Sequence, residues 1–290
     1  MYCAIGGMMP KTMPEVDSAV LASIKRLGFT GECWSFEEPM EVSLQEVDRF
    51  RSTMAEGGVE LVQVSAVHPD LVHPEESQRQ AGIEAMQRMC LIASRAGAHL
   101  LYVRPGSLNP GGPWYPHPQN RHPHVTERLI DSLKELVKAA EQHAVLLSME
   151  GHVLSPLYSV ERVKEVIEAV DSETLRFNAD PVNLVGGIPE AYDTTSVVNH
   201  LFDVLGPFIV AAHIKDFECQ DRLVLHLDET VLGDGLLDQV TFLRRMQEAC
   251  PEGYVIIEHL DDEDIPRAKV ALDAAAEKAE VTWQQYPGGD

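Results

Sequence analysis

The feature that most limits what this chain can fold into is an alternation sustained along its length. Short apolar runs rich in Val, Ile, Leu and aromatic residues recur at 2–6, 29–34, 59–66, 99–103, 144–150, 175–180, 208–214 and 254–259. Each is followed by a longer stretch whose apolar residues return with helical spacing: 14–27, 43–57, 75–96, 126–142, 159–170, 192–205, 236–249 and 265–279. Within 127–141, Leu129, Ile130, Leu133, Leu136, Val137 and Ala140 make one stripe, with charges on the opposite face. Ser43 with Glu46 three residues on predicts a capping box, and Gly57-Gly58 and Gly97 predict helix ends.

Eight strand-then-helix units, with strands apolar enough to be buried on both faces, place the chain in the α/β class. They fit a single (β/α)8 TIM barrel better than an open doubly wound sheet. No G-x-G-x-x-G follows the first strand, no G-x-x-x-x-G-K-[ST] occurs, and no break in composition marks a linker. One domain over residues 1–290 is therefore expected. The Pro- and Gly-rich piece 105–123 falls between a strand and a helix and reads as an active-site loop.

Charge narrows the partners. With 46 acidic against 23 basic side chains the net charge is −23, which disfavours nucleic acid and anionic membrane surfaces, both of which need Lys and Arg. A hydrophobic content of 44% excludes an acidic disordered chain. The N-terminus carries no basic leader and no apolar run approaches the ~20 residues that span a bilayer, so a soluble, cytoplasmic protein is expected. The five cysteines, Cys3, Cys33, Cys90, Cys219 and Cys250, are odd in number and contain no C-x-x-C pair. They imply neither a disulfide framework nor a thiolate zinc site.

In a barrel, side chains at the C-terminal ends of the strands converge on the mouth. The last four apolar runs end in ionisable groups: Glu150, Asp180, His213 and Glu258. A carboxylate there is costly unless it is paired or holds a cation. Any one of these residues alone would more often be a helix cap or a hydrogen-bonded semi-buried group; four on consecutive strands point to a metal site. Three carboxylates and one imidazole suit a hard or borderline divalent cation, Mn²⁺ first, with Mg²⁺, Co²⁺ or Zn²⁺ as alternatives.

These segments also carry a family resemblance. The stretch LSMEGH at 147–152, Asp-x-x-Asn at 180–183, His-x-Lys-Asp at 213–216, Gly-Asp-Gly at 233–235 and Val-Ile-Ile-Glu at 255–258 resemble the xylose isomerase-like superfamily of sugar phosphate isomerases and epimerases. Its members are TIM barrels that include ketose 3-epimerases, inosose isomerases and dehydratases, and AP endonucleases. The resemblance implies a metal set of Glu150, Asp180, His213 and Glu258, with Glu150 and Glu258 also serving as the acid/base pair. The implied reaction is proton abstraction next to a carbonyl of a small polyhydroxy-carbonyl substrate, giving isomerisation or epimerisation. The same enolate could expel a β-leaving group, making the protein a lyase or dehydratase of a keto-sugar, keto-cyclitol or 3-keto-glycoside. An AP endonuclease-like hydrolase is disfavoured by the charge and by Asn183 and Arg104, which stand where further metal ligands would be needed. A non-catalytic accessory barrel is disfavoured by the intact ligand set. Relatives of this kind form dimers or tetramers, so a homo-oligomer is compatible with the sequence.

Candidate substrate-binding residues surround this set. Lys215 and Arg222 follow the His-bearing strand and suit an enediolate or other oxyanion, although salt bridges to Asp216 or Asp221 account for them equally well. Trp34 and Trp114 offer flat faces to a sugar ring, with a core role equally open to Trp34. His68, Arg104, His152, Asn183 and His226 complete the set. Glu32 lies near the end of the second strand, where many relatives have a glutamate, but the register there is ambiguous. Substrate choice is expected to lie in the loops at 105–123 and 217–235.

Overall fold

The computed structural model describes residues 1–285. Eight parallel strands close into a barrel: β1 (Tyr2–Ile5), β2 (Gly31–Phe36), β3 (Glu60–Ala66), β4 (Leu100–Val103), β5 (Leu146–Met149), β6 (Leu175–Ala179), β7 (Ile209–Ile214) and β10 (Tyr254–Ile257). The ring runs in chain order and is sealed by β10 pairing with β1, Tyr2 opposite Tyr254 through Ile5 opposite Ile257. Around it lie α1 (Ser18–Arg26), α2 (Leu44–Gly57), α3 (Glu76–Ala96), α4 (Pro123–His143), α5 (Val160–Val170), the short α6 (Ile188–Ala191), α7 (Thr194–Leu205), α8 (Gln239–Ala249) and α9 (Ile265–Ala279). This is the single (β/α)8 TIM barrel that the strand-and-helix alternation implies.

Helix boundaries follow local chemistry. Gly58 and Gly97 end α2 and α3 at φ of 65° and 72°, the left-handed conformation in which a Cβ is unfavourable. Three helices start later than apolar spacing suggests, at Ser18, Thr194 and Gln239, because Asp17, Asp193 and Asp238 accept hydrogen bonds from the first-turn amides. The capping box expected at Ser43 does not form. Ser43 precedes α2, but its side chain makes no capping bond, and Glu46 lies 3.9 Å from Arg49.

Ala4, Val62, Leu100, Ala211, Tyr254 and Ile256 form a dry plug in the barrel, separate from the larger apolar layer between strands and helices. Leu100 and Tyr254 open their strands, so the plug lies toward the N-terminal end. Polar groups are left to gather at the other end. All five cysteines are free, with Cys3 and Cys90 fully buried. No helix among the described residues is long and apolar enough to cross a membrane.

The stretch at 217–235 is more ordered than an irregular loop. It carries an antiparallel hairpin, β8 (Asp216–Cys219) against β9 (Leu227–Thr230). Phe217 pins the hairpin down by burial with Val185 and Ala191. Asp216 fixes the return to the barrel. Its fully buried carboxylate accepts bonds at Oδ1 from the Phe217 and Leu237 amides (3.0 and 2.9 Å), and at Oδ2 from the Gly233 and Gly235 amides (3.0 and 3.2 Å) and Gln239 Nε2 (3.1 Å). Five donors offset the burial of the charge.

The Gly-Asp-Gly motif follows from this arrangement. Gly233 sits at φ +100°, and a Cβ on Gly235 would lie 2.3 Å from Asp216 Oδ1 and 2.4 Å from the Phe217 carbonyl oxygen. Gly235→Ala is expected to cost about 1–3 kcal/mol through overpacking, seen as a fall of several degrees in Tm in a thermal melt. An unchanged Tm would contradict this account of the motif.

Candidate active site

Glu150, Asp180 and Glu258 each stand immediately after a barrel strand (β5, β6 and β10), and His213 is the penultimate residue of β7. These four strands are consecutive in the ring, which brings the side chains to one side of the mouth. Exposure is 2% at Glu150, 1% at Asp180 and 5% at His213. Donor atoms of Glu150, Asp180 and His213 all lie within 4.8 Å of one another, a group able to hold a metal ion. Glu258 joins them: His213 Nδ1 lies 2.9 Å from Glu150 Oε2 and 2.8 Å from Glu258 Oε2.

Lys215 completes the charge balance. Its side chain turns inward, and its ion-pair partners are neither Asp216 nor Asp221, the two that the sequence offered as an alternative to an oxyanion. Instead Nζ donates to Glu258 Oε1 at 2.8 Å and lies 2.8 Å from Asp180 Oδ2 and 3.8 Å from Glu229. Burial alone would lower the Lys215 pKa, but Asp180 and Glu258 outweigh it and hold the ammonium charged. His213 follows the same logic: burial opposes its cation, yet Glu258 and Glu150 raise it to about 10. Burial pushes Asp180 up to about 6 against the pull of Lys215. Burial would also raise Glu258, but His213 and Lys215 hold it well below the usual carboxylate range.

Three of these close contacts, Lys215 with Asp180 and His213 with Glu150 and with Glu258, are ion pairs in distance only. Asp180 Oδ2 and His213 Nδ1 are buried atoms without an aligned hydrogen-bond partner, although charges of opposite sign lie within 3 Å of each. Buried donor atoms aimed at a shared point without directed bonds are what a cation-binding set presents. Three carboxylates and one imidazole nitrogen fit a hard or borderline divalent ion.

A polar layer beneath the cluster orients it. His213 Nε2 lies 2.9 Å from Gln63 Oε1, and Gln63 Nε2 donates to Ser148 Oγ (3.0 Å) and Asn178 Oδ1 (3.3 Å). Because the Gln63 amide nitrogen is committed to those acceptors, its oxygen faces the imidazole and Nε2–H is the donor. Nδ1 is thereby turned toward the carboxylates. Glu150 is gripped at both oxygens, Oε2 by Asn178 Nδ2 at 2.8 Å and Oε1 by Asn183 Nδ2. The Tyr102 ring stacks on His213 at 5.5 Å between centroids.

Gln63 and Asn178 escaped the sequence reading, which attended to strand ends. Their signal was a polar side chain interrupting an apolar run. Glu229 and His259 were also missed. His259 Nδ1 bonds Glu229 at 2.9 Å, and its Nε2 lies 3.8 Å from Glu258. Glu32 is fully buried opposite Ile5; its Oε1 accepts from the Gly7 and Cys33 amides and burial raises it to about 8.

The proposed substrate residues divide into two groups. Asn183, Lys215, His152 and His226 line a mouth cavity of about 670 Å³, closed on one side by the β8–β9 hairpin. Trp114 stands at its edge, its ring 5.7 Å from that of His152. Burial lowers His152 to about 4, with Lys215 adding to the effect. His226 lies 2.9 Å from Asp228. The others lie apart from this cavity. Arg222 is exposed between β8 and β9. His68 and Arg104 pair together, Arg104 Nη2 donating to the His68 carbonyl at 3.3 Å, and burial with Arg104 alongside depresses His68 to about 4. Trp34 is buried against Phe50 (5.0 Å) and Phe36 (6.3 Å) and borders a separate cavity of about 390 Å³ with Gly7 and Met9.

Comparison with known proteins places the fold. No curated protein matches the sequence. Similar solved structures include a D-tagatose 3-epimerase-like protein at 17% identity and TM-score 0.74, over 97% of this chain and 98% of that one. A Mycobacterium smegmatis xylose isomerase-like TIM barrel protein in complex with magnesium aligns at 17% identity and TM-score 0.71, over 96% of each chain. D-Psicose 3-epimerase from Clostridium cellulolyticum H10, solved with D-tagatose, aligns at 16% identity and TM-score 0.71, over 96% of this chain and 99% of that one. At these identities the likeness is one of fold. The family model described as xylose isomerase-like TIM barrel matches residues 21–280, and the chain belongs to that family.

Proposed function

We propose that the protein is a divalent-metal-dependent isomerase or epimerase of a sugar or cyclitol, with Glu150 and Glu258 as its proton-transfer residues. The observation that carries this reading is the convergence of both glutamates on His213 Nδ1, at 2.9 and 2.8 Å, beside buried Asp180. A fold shared with sugar 3-epimerases supports the substrate class. Glu150, Asp180, His213 and Glu258 would hold the ion, Mn²⁺ by donor chemistry, with Mg²⁺ as the nearest alternative given the magnesium in a structural relative. When bound, the ion supplies Lewis-acid polarisation of a carbonyl and its neighbouring hydroxyl.

The chain's own groups supply the rest. Glu150 is oriented by two amide donors, one on each carboxylate oxygen, which fixes its position as a base removing a proton from carbon. Glu258, bonded to the Lys215 ammonium, is placed to exchange a proton from another direction. Lys215 and Asn183 carry donors into the cavity, where they can hold substrate oxygens as negative charge develops.

Two measurements test the reading. Incubated in D₂O with a panel of ketoses and keto-cyclitols, the metal-loaded protein should place deuterium on a carbon next to the carbonyl. Glu150→Gln and Glu258→Gln should each slow that exchange ~10²–10⁴-fold; full activity in both variants would overturn the assignment. Loss of water or an aglycone, read in the same mass spectra, would instead establish elimination. In calorimetric titration with Mn²⁺, Asp180→Asn should weaken binding at least tenfold, and Gln63→Leu, which removes the orienter of His213, by ~10–100-fold. Unaltered binding in both variants would contradict the proposed ligand set.

A further inference from the structure

Arg104 is a cation without a counter-ion. It directly follows β4 and is half-buried, and its Nε is a buried atom with no hydrogen-bond partner. Among the described residues its guanidinium makes one hydrogen bond, from Nη2 to the His68 carbonyl at 3.3 Å, and no ion pair. Burial lowers its pKa, and Asp70, which does not pair with it, only partly offsets that loss. Arg79, buried in α3, shows the ordinary solution: its guanidinium bonds Glu76 and Ser132. A desolvated guanidinium left with unused donors is costly, and a strand end that keeps one presents a site for an anion.

The strand aims this group at the mouth. Along β4, Leu100 joins the interior plug and Tyr102 stacks on His213, while Leu101 and Val103 pack in the outer apolar layer. Pro105 confines Arg104 to extended backbone, so the alternation carries one residue past the strand and turns Arg104 inward. In the β4–β5 register Tyr102 lies opposite Ser148 and Val103 opposite Met149, which sets Arg104 level with Glu150. Tyr102, one layer below, feels Arg104 on one side and Glu150 on the other. Arg104 therefore stands on the β4 flank of Glu150, whereas the cavity of about 670 Å³ lies on its β6 and hairpin flank.

The surroundings select the kind of anion. A guanidinium offers a planar fork of donors that matches a carboxylate. His68 is held neutral beside Arg104, so no second positive charge comes from it, and Asp70 and Glu150 are close. A phosphate dianion would meet more negative charge here than positive. We infer that the substrate is a sugar acid: a keto-sugar whose far end is a carboxylate, bound by the Arg104 guanidinium while its carbonyl end lies at Glu150 and Glu258. This rests on the isomerase reading for the reacting end and adds to it the class of group at the other. Arg104 is then a specificity-determining residue, separating acidic from neutral substrates.

Calorimetric titration of the full chain, supplied with Mn²⁺, tests the inference with D-glucuronate and D-galacturonate, the parent hexoses and the hexose 6-phosphates as probes. The uronates should bind at least ~10-fold more tightly than the hexoses, and more tightly than the phosphates. Arg104→Met should shrink the preference for uronate over hexose to about threefold or less, and Arg104→Lys, which keeps the charge but loses the fork, should retain only part of it. Equal or absent binding of uronates and hexoses, or tighter binding of the phosphates, would overturn the inference. So would a preference unaltered in both variants, the result expected of a carboxylate held by the ion alone. The two readings fail separately. Deuterium exchange on free ketoses with no carboxylate preference removes the anion site alone, whereas an Arg104-dependent preference with no exchange on any carbonyl substrate removes the isomerase reading.

Discussion

Three carboxylates cannot share the mouth of a barrel unless positive charge is buried with them. Here two cations do that work: the Lys215 ammonium lies between Asp180 and Glu258, and the His213 imidazolium between Glu258 and Glu150. Each carboxylate is thus paired, and the set is stable as a unit while any member alone would be costly. Removing one partner would leave an uncompensated buried charge, typically a loss of 3–5 kcal/mol. A divalent ion held by the same donors would carry as much positive charge as these two groups supply together.

The barrel is layered to serve that cluster. An apolar plug around Ala4, Val62 and Ile256 occupies one part of the interior, a neutral hydrogen-bonded layer of Gln63, Ser148 and Asn178 lies against the charged cluster, and Lys215 links that cluster to the mouth cavity it lines. The neutral layer sets direction. Gln63 chooses which imidazole nitrogen faces the carboxylates, and Asn178 with Asn183 fixes both oxygens of Glu150. Over the mouth, the hairpin is held by the Asp216 carboxylate and by buried Phe217, so the element bordering the cavity is anchored at its base while its tip stays in solvent.

Much of this was legible in the sequence because the physics is local. Apolar runs that end in Glu150, Asp180, His213 and Glu258 announce both a strand and the polar end of it. Glycines at 58 and 97 announce left-handed helix ends. The rest depends on contacts between distant residues. Lys215 and Asp216 are neighbours of opposite charge, and only the turn from β7 into the hairpin sends one toward Asp180 and Glu258 and the other to the amides at 233–237. Gln63 is 150 positions from the His213 it orients. The hairpin strands, DFEC and LDET, are short and half polar, so they lack the apolar run that marked the other strands. Arg222, Arg104 and His68 have suitable chemistry at suitable points in the chain, but the fold places them outside the mouth cavity, Arg104 and His68 against each other.

The most direct test of the account is an anomalous-scattering crystal structure of the protein soaked with Mn²⁺. The account predicts one strong manganese peak among Glu150, Asp180, His213 and Glu258, bonded to His213 through Nδ1, with the Lys215 ammonium moved away from Asp180. A map without a peak there, or with the ion bound elsewhere and the Lys215 and His213 pairs intact, would contradict it.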